Sequence, residues 1–175
     1  TLDGIFGNAA SATHAYGREA AAHLEAARAD VAALVAAPAD SIVFTSGATE
    51  SDNLAILGIA RGLADRGRHV VTMRTEHKAV LDPCRRLAKE GFDVSWLEPG
   101  WDGRLDPQAV RDALRQDTVL VSVMHANNEI GVLQDLPAIA LACRERGVLL
   151  HSDAAQSVGR IPVSVTALGV DLLSM

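Results

Sequence analysis

Thr118-Val119-Leu120-Val121-Ser122-Val123-Met124 carries no charged residue, and its apolar side chains point to both sides of the chain. A strand of that kind is buried on both faces, as strands are inside a parallel sheet covered by helices. His69-Val70-Val71-Thr72-Met73 and Val148-Leu149-Leu150-His151 read the same way, with further strands at Phe92 to Leu97 and Val170 to Leu173 and a short buried one at Ser41-Ile42-Val43-Phe44-Thr45. Helical patterns separate them. Residues 17–36 repeat Leu24, Ala27, Val31, Leu34 and Val35 at three- and four-residue spacing until Pro38 and Asp40 break the pattern. Helices are also predicted over 50–66 closed by Gly67, 77–90 closed by Gly91, 107–116 with Asp106 as cap and Pro107 at the first position, and 136–146 closed by Gly147. The alternation predicts an α/β fold, a mainly parallel sheet with helices on both faces. In such sheets ligands lie at the carboxyl ends of the strands.

The rest of the sequence narrows the class. With 175 residues, 49% apolar and 22% charged, the chain is one globular domain or a large part of one. A net charge of -6 argues against a nucleic-acid partner, which needs a basic face. No apolar run reaches the ~18 residues of a membrane span. Cys84 and Cys143 form no disulfide framework, so a reducing compartment, the cytoplasm, is expected. The opening Thr1-Leu2-Asp3 lacks a signal peptide's basic start, no initiator Met is present, and Asp171–Met175 reads as a strand cut short, so a fragment of a longer protein is expected. Lys78 and Lys89 are the only lysines.

Four segments follow strands. Thr45-Ser46-Gly47-Ala48-Thr49-Glu50-Ser51 leads into a helix; its small residues allow a phosphate to reach free N–H groups, or Thr49 and Ser51 simply cap the helix. His77, at a strand-to-helix junction, suits stacking on a flat ligand or proton transfer, or else caps the helix or lies on the surface. Asn127 and Asn128 offer amide groups to a polar ligand, or form a turn. Asp153 ends an apolar strand, where a protonated ring nitrogen would offset its burial, or it caps a following helix. No His-Glu-x-x-His, Cys-x-x-Cys, Walker or Gly-x-Ser-x-Gly pattern competes with them.

Together the four segments suit a flat, phosphorylated, nitrogen-containing ring, and pyridoxal 5'-phosphate is such a ligand. Its phosphate suits Gly47-Ala48-Thr49, its ring His77, its pyridinium nitrogen Asp153 and its phenolic oxygen Gln156.

At these residues the chain resembles the cysteine desulfurases of iron–sulfur cluster assembly, within the class V aminotransferase-like pyridoxal phosphate enzymes. The matching stretches are Phe6-Gly7-Asn8-Ala9-Ala10-Ser11, Ile42 to Asn53, Thr75 to Leu81, Met124 to Gly131 and Asp153 to Gly159, in the family's order. Ala9 departs from the family's usual Pro. The resemblance implies the large cofactor-binding domain of a fold-type I enzyme over residues 1–175, with the N-terminal segment, the Schiff-base lysine, the persulfide cysteine and the C-terminal small domain outside it. It implies that Ala48 and Thr49 hold the cofactor phosphate, that His77 stacks and moves protons, and that Asn128 contacts cofactor and substrate. Asp153 would pair with the pyridinium nitrogen and Gln156 with the phenolic oxygen. The implied activity removes sulfur from L-cysteine, leaving L-alanine and an enzyme persulfide for scaffold or sulfur-carrier proteins, in a cytoplasmic homodimer. A selenocysteine lyase or aminotransferase-like lyase on the same scaffold, or a fragment without activity, are the alternatives. Neither Lys78 nor Lys89 matches the Schiff-base position, and Cys84 and Cys143 read as core residues rather than sulfur carriers.

Overall fold

The computed structural model describes residues 7–11 and 13–175, and these fall into two compact units divided between Val43 and Phe44. In the first unit, α1 spans Ala15–Leu34. His14 caps it: Nδ1 accepts the N–H of Gly17 at 3.0 Å, and Nε2 lies 3.0 Å from the Ser11 hydroxyl. Ala36 turns into the left-handed region at φ 53°, and a 3-10 turn over Ala39–Ser41 follows.

The strand predicted over Ser41–Thr45 does not form. Ser41 closes the 3-10 turn, and Val43 and Phe44 are 68% and 47% exposed. Apolar composition gives a segment strand propensity, but a strand also needs a ladder partner. None of the five strands of the sheet pairs with this segment.

The second unit holds β1 (His69–Met73), β2 (Asp93–Leu97), β3 (Thr118–Ser122), β4 (Leu149–Asp153) and β5 (Leu172–Ser174). They form one sheet in the order β2-β1-β3-β4-β5, with every pairing parallel. Between them run α2 (Ala48–Gly62), α3 (Lys78–Lys89), α4 (Pro107–Ala113), α5 (Leu136–Arg146) and a short α6 (Val165–Leu168) that the sequence reading did not anticipate. The side chains of Val70 and Leu120 pack against Ile56, Val80, Cys84 and Leu87 of α2 and α3. Val71, Val121, Val123 and Leu150 pack against Val110, Leu136, Ile139 and Cys143 of α4 and α5. Both faces are thereby covered, as the apolar strands require. Asp106 starts α4 as expected, accepting the Gln108 N–H, and Gly147 ends α5 at φ 65°, but α2 stops at Gly62, short of the close expected at Gly67. Among the described residues no helix is long and apolar enough to cross a membrane.

Candidate functional site

The segments after β1, β3 and β4 leave the carboxyl edge of the parallel sheet, whereas Thr45–Ser51 follows no strand and leads into α2. Three hydrogen bonds tie the first three together. Asn127 Nδ2 donates to Thr75 O at 3.1 Å, joining the loops after β3 and β1. The Met124 N–H donates to Glu76 Oε1 at 2.6 Å, and the His125 N–H to Asp153 O at 2.8 Å.

Gly47 sets the approach to α2. Its φ of 152° is one that side chains resist, a Cβ there would meet open space, and no side chain caps the helix. Neither Thr49 nor Ser51 is therefore the cap. Glu50 instead folds back to Ser46, whose side chain and whose N–H at 2.6 Å hold its carboxyl below the usual range. A helix running from Ala48 to Gly62 thus presents an uncapped N-terminus with Ala48 half-buried and the Thr49 hydroxyl exposed. N–H groups and the helix dipole together favour an anion there.

His77 does two jobs at once. Its Nδ1 accepts the Ala79 N–H at 3.2 Å and caps α3, so the neutral ring carries its proton on Nε2, while the side chain stays exposed. The two asparagines divide the roles offered to them. Asn127 is buried and makes the turn, its Oδ1 accepting from Glu129 N and Ile130 N at 2.9 and 3.0 Å, whereas Asn128 is exposed. Asp153 caps no helix, because only turns follow it; Oδ1 accepts the Ala155 N–H at 2.9 Å, and Oδ2 has no donor among the described residues. Gln156 is exposed, and its Oε1 accepts from Arg160 Nη1, which leaves its amide N–H groups free to donate outward. A groove of about 760 Å³ between the loops after β2 and β3, beside Trp101 and Leu133, includes none of these residues.

Sequence reasoning passed over the buried polar groups underneath. Glu76 is 5% exposed, and burial pushes its carboxyl well above the usual range, with Asp153 and Asp52 adding to the shift. Asp52 on α2 is fully buried and pushed up to about 7, first by burial and then by the charge of Asp153, against a lowering by Ser174. His151 is also fully buried, and burial pushes its imidazole down to about 4. Its Nδ1 lies 2.9 Å from Ser122 Oγ and its Nε2 2.9 Å from Ser174 Oγ. A signal for Asp52 was present: it shares a helical stripe with Ala55, Ile56 and Ala60, all of which are buried.

The aminotransferase class-V family matches residues 2–175. The chain belongs to that family. It is 57% identical over 175 residues to the cysteine desulfurase IscS of Aeromonas hydrophila subsp. hydrophila, and 55% identical over 175 residues to that of Photobacterium profundum. Each of these matches covers 100% of this chain but 43% of the relative, so the chain spans less than half the length of the curated relatives it matches. Among solved structures it superposes on a NifS-like protein with a TM-score of 0.93 at 36% identity, covering 99% of this chain and 48% of that one. SspA in complex with cysteine gives 0.92 at 37% identity, covering 97% and 49%. The family's fold is therefore the α/β parallel-sheet fold expected from the apolar strands.

Proposed function

We propose that the protein containing this chain is a pyridoxal phosphate-dependent cysteine desulfurase, and that residues 1–175 form most of its large cofactor-binding domain. The observation that carries this reading is the pairing of two features: an uncapped α2 N-terminus open at Gly47, and a buried Asp153 carboxyl with one oxygen unengaged. An anion and a cationic ring nitrogen are what these two groups accept. The 57% identity to a cysteine desulfurase adds the reaction class.

When bound, the cofactor supplies an electron sink for bonds at the substrate's α and β carbons. Ala48, Thr49 and the open N–H groups of α2 hold the phosphate. Asp153 keeps the ring nitrogen protonated, and Gln156 donates its amide N–H to the phenolic oxygen. His77 stacks on the ring and, through Nε2, handles a proton near the substrate. Asn128 contacts cofactor and substrate. The overall reaction converts L-cysteine and an enzyme thiol to L-alanine and an enzyme persulfide. That thiol and the Schiff-base lysine lie outside residues 1–175, so the 175-residue chain alone is inactive. The persulfide passes to an iron–sulfur scaffold or sulfur-carrier protein, and the protein works as a cytoplasmic homodimer.

The test uses the full-length protein with pyridoxal phosphate, L-cysteine and dithiothreitol, following alanine and sulfide together. Equal release of both is expected. Alanine without sulfide, or neither, overturns the reading.

A further inference from the structure

Asp52, His151, Ser122 and Ser174 come from α2, β4, β3 and β5, and they meet under the candidate site. His151 Nε2 stands 3.5 Å from Asp52 Oδ1 and 2.9 Å from Ser174 Oγ, and His151 Nδ1 stands 2.9 Å from Ser122 Oγ. Neither Asp52 oxygen has a hydrogen-bond partner in proper geometry among the described residues. The imidazole is neutral, so no ion pair compensates the acid. An acid placed in this way lowers stability, and an apolar or amide residue on the same buried stripe would do better. Costs of this kind persist at sites where the group serves the ligand.

Position says which ligand group. Asp52 lies one helical turn beyond Ala48 and Thr49, where the phosphate is assigned, and His151 lies two residues before Asp153 on the same strand and the same face of the sheet. One buried acid thus stands at the contact between the two elements assigned to opposite ends of one ligand. We propose that Asp52 is a positioning residue for the cofactor: its carboxyl, buried beside His151 where α2 meets β4, reinforces the negative field that Asp153 presents to the ring nitrogen. The inference rests on the cofactor reading above.

The other titratable groups facing Asp52 are His151 and Asp153 on β4 and Glu76 in the loop after β1. Glu50, on its own helix, is turned away to Ser46. With cofactor absent, the charge of Asp153 opposes ionisation of Asp52. A cation at Asp153 removes that opposition, so Asp52 ionises on binding and adds to the attraction. The effect is largest above neutrality, where Asp52 is ionised when the cofactor binds.

The test compares full-length wild type with Asp52→Asn. Two measurements are needed: the Tm of the apoprotein, and pyridoxal phosphate affinity by fluorescence titration from roughly pH 6 to pH 8.5, a span that brackets the Asp52 titration. Asp52→Asn should keep or raise the apoprotein's Tm and bind the cofactor about tenfold more weakly at the alkaline end, with a smaller loss at the acid end. Asp52→Leu, which cannot hydrogen-bond, should show the same pH-dependent loss. A lowered Tm, a failure of both variants to fold, unchanged affinity, or a loss independent of pH overturns the inference. Absence of binding by the wild type overturns the cofactor reading itself and the inference with it; binding by wild type and variant alike overturns the inference alone.

Discussion

Glu76 Oε1 accepts the backbone N–H of Met124 across 48 residues of sequence, at 2.6 Å, while its Oε2 has no partner among the described residues. This one bond fixes the loop that carries His77 to the exit of β3, and the acid making it is buried. Burial raises its pKa well above the usual range, which disfavours the charged form but leaves the acceptor role intact. Replacing it with Gln keeps the acceptor and should change stability by less than about 1 kcal/mol. Replacing it with Ala strands the Met124 N–H and should cost about 1–3 kcal/mol. Urea unfolding of the full-length protein separates the two. A Gln variant as unstable as the Ala variant would mean that the charge, not the acceptor, is what matters.

Asp153 and Gln156 differ in what each loses on truncation. Asp153→Ala in the full-length enzyme removes the only carboxyl assigned to the ring nitrogen and should reduce cysteine turnover by orders of magnitude. Gln156→Ala removes one neutral hydrogen bond, about 0.5–1.5 kcal/mol or roughly a tenfold effect at most. Turnover measured side by side decides the ranking, and wild-type activity in Asp153→Ala would remove its assigned role.

The raised pKa of Asp52 has a definite sign in pH. A carboxyl at about 7 in the fold, against an ordinary 3.8, binds its proton more tightly folded than unfolded. Stability is therefore highest while both states hold that proton and falls as pH rises from about 4 through 7, by up to about 4 kcal/mol. Asp52→Asn should flatten this stretch of the curve. Denaturant midpoints of the apoprotein measured across that window give the answer; an unchanged slope in the variant would show that Asp52 is not the group responsible.

Cys84 and Cys143 are buried on α3 and α5, and burial pushes both thiols up to about 12. Thiolate is the reactive form, so neither should react with a thiol reagent in the native protein near pH 8. Both should label fully in denaturant. Mass mapping after a short pulse checks this, and Cys84→Ala with Cys143→Ala should leave cysteine turnover intact. Fast native labelling of either residue would reopen its role as a sulfur carrier.

Much of the fold was legible because the relevant forces are local. Apolar strands such as Val70–Met73 and Val119–Ser122 can only be buried, and Gly147 stops α5 where its left-handed angle allows. The segment Ser41–Thr45 misled because propensity says nothing about the presence of a ladder partner. The candidate site was legible as strand-end segments but not in its division of labour. Nothing local decides which of Asn127 and Asn128 is buried, and the burial of Asp52 and Glu76 depends on the strands placed against them.

The strand order β2-β1-β3-β4-β5 has a kinetic meaning. β2 pairs with β1 on one side; β3 then joins β1 on the other, and β4 and β5 extend that second side in turn. In a chain emerging from the ribosome each new strand therefore finds its partner already made, and only the β1–β3 pairing has to span more than one crossover helix. His77 and the Glu76 clip await β3, which is made before Asp153, so the His77 side of the sheet's carboxyl edge can take shape before the Asp153 side has left the ribosome.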